Sequence, residues 1–150
     1  MSSIWAKEIS IADINRRGEG CMVEHLGIKF LEIGPDYLKA SMPVDHRTKQ
    51  PIGLLHGGAS VALAETVAST AGNLTVDNSK LYCVGLEINA NHVRSITKGE
   101  VIATSRAVHI GRSTQVWETR IEQHGKLACV SRMTLAVLRR ESATRPKGSV

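Results

Sequence analysis

An α+β domain, one antiparallel sheet wrapped around a single long helix, is what three features of this 150-residue sequence predict. A stretch from Gly58 to about Gly72 is small and apolar at nearly every position, the pattern of a helix sunk into a core. After it, one alternating segment follows another across short turns, which implies antiparallel pairing. The length suits one domain with a substantial core, and 42% hydrophobic with 22% charged residues is ordinary for a globular chain.

The elements follow in order. Ile9 to Arg17 has the spacing of a short amphipathic helix, with Ile9, Ala12 and Ile14 toward one face. Gly27 to Ile33 reads as a strand, Gly34-Pro35-Asp36 as a turn, and Tyr37 to Met42 as a second strand with Leu38, Ala40 and Met42 inward. A polar loop over residues 43–52 leads into the long helix, for which Gly72-Asn73 supplies a C-terminal stop. Tyr82 to Val93 and Glu100 to His109 are the next strands, joined through the Lys98-Gly99 turn. Gly111 ends the second of these. Gln115 to Glu122 follows, with Trp117, Thr119 and Ile121 on one face and Glu118, Arg120 and Glu122 on the other. His124-Gly125 makes a hairpin turn, and Leu127 to Leu138 completes the sheet. The expectation is one domain over residues 1–140 and a polar tail over 141–150, expected to be disordered.

Composition excludes several function classes. Cys21, Cys83 and Cys129 are odd in number and form no C-x-x-C pair, which argues against a disulfide framework or a zinc ribbon and fits a reducing cytoplasm. The histidines have no carboxylate partners at metal-ligand spacing, so no metal is expected. No apolar run approaches the roughly 20 residues that span a bilayer, and the first twenty residues lack a signal-peptide core, so neither membrane nor export is expected. Much of the formal charge of +5 lies in the last twelve residues, and aromatics are only 3%, so no nucleic-acid partner is expected.

One glutamate stands out. Glu65 interrupts the apolar helix, and a carboxylate buried without partners is costly enough that it is normally paired, protonated or put to use. Ser69, four residues on, shares its helix face. Gly57 lies where loop becomes helix, so its N–H belongs to the unpaired donors of a helix start, reinforced by the helix dipole. Read blandly, Glu65 is half of a structural ion pair, His56 a helix cap, Ser69 a hydroxyl bonded to its own backbone, and Arg94 and Arg112 solvated charges.

The segment Lys49-Gln50-Pro51-Ile52-Gly53-Leu54-Leu55-His56-Gly57-Gly58, entering a helix that carries Glu65, resembles the hotdog-fold acyl-CoA thioesterases. The likeness is closest to the subgroup of 1,4-dihydroxy-2-naphthoyl-CoA and 4-hydroxybenzoyl-CoA thioesterases. Met42-Pro43-Val44-Asp45, the run Val84 to Ser95, and Gly111-Arg112 ahead of Gln115-Val116-Trp117 are further matches, so it extends from about Trp5 to Leu138. The resemblance implies homodimers joined edge to edge through their sheets, commonly paired into tetramers, with active sites at the dimer interface. It implies Glu65 as nucleophile or general base, Gly57 N–H polarising the thioester carbonyl, and Gln50, His56 and Ser69 assisting. It assigns coenzyme A and its pantetheine arm to Gly85, His92, Val93, Arg94, Ser95, His109, Gly111, Arg112 and Ser113. The implied activity is hydrolysis of an aromatic or medium-chain acyl-CoA, with no cofactor expected. A non-catalytic acyl-CoA sensor is the alternative from another class. A hotdog dehydratase fits less well, because the histidine and proline-rich loop such enzymes use are absent.

Overall fold

The computed structural model describes residues 3–141, so all but the first residue of the tail expected over 141–150 lies outside the described residues. Two short helices, α1 (Ile11–Arg17) and α2 (Met22–His25), precede strands β1 (Lys29–Ile33) and β2 (Tyr37–Pro43). The long helix α3 (Gly57–Leu74) follows. Strands β3 (Leu81–His92), β4 (Glu100–Ile110), β5 (Thr114–Gln123) and β6 (Lys126–Arg139) complete the chain. All pairings are antiparallel, in the order β1-β2-β4-β5-β6-β3, so β1 and β3 are the free edges.

The sheet curls around α3, which packs on β2 through β6. Leu63, Ala64, Val67, Ala68 and Ala71 are fully buried, a stripe of helical period set against Leu38, Ala40, Met42, Trp117, Ile121 and Leu135. Each Leu or Val so buried contributes about 1.5–3 kcal/mol. The alternation expected in β2 and β5 holds: the inward residues of both are buried and their neighbours are not, except that Ser41 is buried as well. Bulges at Leu31, Leu86 and Val108 break the ladder register of β1, β3 and β4 and increase the local twist. The His124-Gly125 hairpin turn has both residues at positive φ, 50° and 72°, as a two-residue primed turn requires.

Three sequence readings need correction. The helix does not stop at Gly72-Asn73 but runs to Leu74, with Thr75 as its C-cap. Gly72 is there for contact: a Cβ on it would run into Leu135 of β6 and come within 2.9 Å of Gln115 Oε1. The first helix begins at Ile11, capped by the Ser10 side chain, and Ala12 is exposed while Ile14 is buried. Nor is α3 buried on all sides. One face, which includes Gly58, Glu65, Thr66 and Ser69, is open or only half covered, and Glu65 itself is exposed. The α2 turn is an addition that the sequence pattern did not single out.

Candidate active site

The loop before α3 is fixed by short-range bonds. Thr48 Oγ1 donates to Pro43 O at 2.7 Å, and Gln50 N donates to Leu54 O at 2.8 Å. Asp45 accepts from the backbone N–H of Arg47 at 2.9 Å and from its guanidinium at 2.7 Å, and these bonds hold its carboxyl down at about 2. Gln50 Oε1 accepts from Ile52 N at 2.5 Å. With its oxygen spent, the Gln50 side chain has its two amide N–H donors left to offer.

At the helix start His56 is the N-cap, and its Nδ1 accepts from Gly58 N at 2.8 Å. A ring nitrogen that accepts is unprotonated, so the proton of neutral His56 sits on Nε2, which has no partner among the described residues. Ala59 and Ser60 donate to His56 O at 3.0 and 3.1 Å. The Gly57 N–H has no acceptor among the described residues. It is the donor of this first turn left over, at the positive end of an 18-residue helix.

Gln50, Gly57, His92, Val93, Arg94 and Ser95 meet around a cleft of about 400 Å³. A Cβ on Gly57 would stand 2.9 Å from His92 Nε2, so glycine keeps this approach open. Arg94 Nε donates to Leu127 O at 3.2 Å, which anchors that end of the segment on β6. Ser60, 3% exposed, also lines the cleft and was not singled out from sequence. Its position three residues after Gly57, on the same helix face, was the available signal.

Glu65 is elsewhere. A Cβ on Gly85 of β3 would lie 3.0 Å from Glu65 Oε1, so the carboxylate stands over that strand near the free sheet edge. It makes no hydrogen bond or ion pair among the described residues. Eight residues of helix separate it from Gly57, about 12 Å along the axis. Ser69 lines a second pocket, of about 180 Å³, with Thr66, Thr70 and Asn73 from α3 and residues of α1, α2 and β1. The two segments expected to hold coenzyme A do not meet within one chain. His92 pairs with Cys129 and Thr114 with Ala136, which puts the His92–Ser95 and Gly111–Ser113 segments about 23 Å apart along β6. Around Gly111, a Cβ would fall 2.8 Å from Thr114 O and close to His109, so that turn too is built for glycine. No group of three or more His, Cys, Asp or Glu side chains among the described residues could hold a metal ion.

Residues 52–130 match the thioesterase superfamily. The 1,4-dihydroxy-2-naphthoyl-CoA hydrolase of Escherichia coli (strain K12) is 52% identical over 136 residues, covering 90% of this chain and 99% of that protein. The chain belongs to the thioesterase superfamily. This thioesterase is also similar to the proofreading thioesterase EntH of Cronobacter sakazakii, 46% identical over 90% of this chain and 98% of that one. A crystal structure of a mutant of thioesterase PA1618 from Pseudomonas aeruginosa superposes with a TM-score of 0.91 at 47% identity, covering 92% of this chain and all of that one. The fold is therefore the hotdog architecture of thioesterases, and the protein is a thioester hydrolase. No helix among the described residues is long and apolar enough to cross a membrane.

Proposed function

We propose that this thioesterase hydrolyses acyl-CoA esters at two equivalent sites of a homodimer, each joining Glu65 of one protomer to the Gly57 cleft of its partner. The observation that carries this reading is the separation of the two free groups. An unpaired carboxylate and an unpaired N–H about 12 Å apart along one helix cannot act on one carbonyl. A second copy removes the difficulty. β3 is a free edge whose Val84 and Leu86 are exposed at 37% and 62%. Antiparallel pairing of two β3 edges that sets Gly85 opposite the partner's His92 brings the partner's Gly57 to Glu65. The same pairing carries the partner's Gly111–Ser113 turn toward the His92–Ser95 segment, so two distant halves become one groove.

In this arrangement the Gly57 N–H donates to the thioester oxygen, where negative charge develops. The Gln50 amide adds a second donor. Glu65 takes a proton from the water that attacks the carbonyl carbon, or attacks that carbon itself to give an anhydride that water then opens. On either route the C–S bond breaks and the thiolate leaves beside the His56 Nε2–H. Arg94 and Arg112, with His92, Val93, Ser95, His109, Gly111 and Ser113 around them, hold the phosphates and the pantetheine arm, a guanidinium being suited to two phosphate oxygens at once. The acyl group is aromatic, of the hydroxynaphthoyl or hydroxybenzoyl type, or of medium chain length. The aromatic reading is supported by the activity named for the E. coli relative.

Thiol release from benzoyl-, hydroxynaphthoyl- and hexanoyl-CoA tests the activity, and the exposed Cys21 is first blocked because the disulfide reagent would consume it. Loss of Glu65 as base or nucleophile should cost at least about 10²-fold in kcat in Glu65→Gln. Saturable binding without release by the wild type would instead mark an acyl-CoA sensor. Subunit mixing tests the shared site. Glu65→Gln and Gly57→Ala chains, each inactive alone, should recover about a quarter of wild-type activity when mixed, since half the dimers keep one intact site. No recovery would place both groups in one protomer's site and end the composite reading.

A further inference from the structure

We propose that Arg17 selects acyl groups that carry an oxygen acceptor at the end remote from the thioester, an inference that rests on the acyl-CoA reading above. The pocket beyond Glu65 is the place. Thr66, Ser69, Thr70 and Asn73 of α3 line it together with Arg17 of α1 and Phe30 of β1. Ser69 lies about 6 Å further along the helix axis than Glu65, roughly the length of a benzoyl ring measured from its carbonyl. An engineered cavity of about 150 Å³ holds benzene, so a pocket of about 180 Å³ suits one ring with a substituent.

The polar groups of this pocket divide into used and unused. The Asn73 amide donates to Ser69 O at 2.9 Å and Cys83 O at 3.0 Å, and its oxygen accepts from Cys83 N at 2.8 Å. Thr66 Oγ1 donates to Ala62 O at 2.7 Å. The hydroxyls of Ser69 and Thr70 have no partner among the described residues. Arg17 likewise makes no ion pair or side-chain hydrogen bond there, whereas Arg16 beside it is held by Asp13. Arg17 and two free hydroxyls thus line the same pocket as the apolar Phe30, Ile14 and Val23. That combination fits a ring whose flat faces are apolar and whose far edge bears a hydroxyl or carboxylate. A site built to bond a substrate oxygen discriminates strongly against the analogue that lacks it.

The test is the ratio of kcat/KM for 4-hydroxybenzoyl-CoA to that for benzoyl-CoA, in the wild type, Arg17→Met and Arg17→Lys. The wild type should favour the hydroxylated ester. Arg17→Met should lower the ratio by about tenfold, and Arg17→Lys, which keeps the charge, should retain part of the preference. A ratio unchanged within about twofold in Arg17→Met overturns the proposal. So does an equal loss on both esters with weaker inhibition by free coenzyme A, because Arg17 would then be holding the nucleotide. Failure of the underlying reading shows separately, as turnover that survives Glu65→Gln.

Discussion

Asn73 and Glu65 stand on the same helix and approach the same strand, yet their polar atoms end differently. Asn73 bonds the backbone N–H and C=O of Cys83 and the carbonyl of Ser69. Beside it Gln115 is buried and still satisfied. Its Nε2 donates to Thr75 Oγ1 at 2.9 Å and its Oε1 accepts from Trp117 Nε1 at 2.9 Å, while Trp117 stacks on Trp5 at 6.4 Å. Glu65, by contrast, reaches β3 at Gly85 and meets no donor. At the C-terminal end of α3 polarity holds the fold together. Toward the N-terminal end the carboxylate, the Gly57 N–H, His56 Nε2 and the Gln50 amide are left free, which costs stability if they are buried by an empty interface and is repaid only by a ligand. The lesson is to look for function where a structure leaves its polar groups unspent.

The contrast would break first at Gly57. Its N–H survives in Gly57→Ala, but the new Cβ enters the space beside His92 Nε2, 2.9 Å away, where the proposed mechanism puts the thioester carbonyl. The expected loss is on the order of 100-fold in kcat, the scale of one oxyanion donor, with little change in thermal midpoint. Steady-state kinetics on Gly57→Ala and on Gly57→Ala/His92→Ala checks this. If removing the imidazole restored full turnover, simple crowding by His92 would explain the loss and the donor role would fall.

Asn73→Ala should give the opposite signature. It leaves the N–H and C=O of Cys83 short of a partner, at about 1–3 kcal/mol for a buried unsatisfied group, and turnover per folded molecule should fall far less than in Gly57→Ala. Denaturant unfolding beside the kinetics separates the two cases. A variant of normal stability and poor kcat would move Asn73 from the structural to the functional end.

The sequence made these two ends unequally legible. β5 could be read because Trp117, Thr119 and Ile121 alternate with charges on a strand half in water, and all three are buried as expected. Gly57 and His56 could be read because a helix start leaves free donors wherever it occurs. Gly72 could not. A glycine near the end of an apolar run looks the same whether it stops a helix or lets the helix touch a sheet, and what decides it is Leu135 on a distant strand. Glu65 reads as buried because its neighbours are apolar, but Leu63, Ala64, Val67 and Ala68 turn inward and leave Glu65 on the open face with Gly58, Thr66 and Ser69. The resemblance assigns the His92–Ser95 and Gly111–Ser113 segments to one ligand, and within a single chain the register of β6 sets them apart. Both differences concern surfaces that the second chain of the proposed dimer would cover, and no single sequence displays a partner's position.

The smallest expected effect sharpens the comparison at the loop that carries Gln50. Asp45 belongs to the satisfied class, with its carboxyl held near 2 chiefly by the side-chain bond to Arg47 and then by the Arg47 N–H. Because its folded value lies below the ordinary carboxylate value of 3.8, its contribution is fully present above about pH 4 and disappears as pH falls through about 2. The side chain is part-exposed, so solvent screening keeps the effect small. Thermal midpoints of wild type and Asp45→Asn, taken from pH 6 down to pH 2, should differ slightly at the upper end and converge at the lower. A gap that stayed constant across this range would mean that the charge of Asp45 does not fasten the loop, and that Thr48 Oγ1, bonded to Pro43 O at 2.7 Å and to Asp45 N at 3.1 Å, holds Gln50 in place without it.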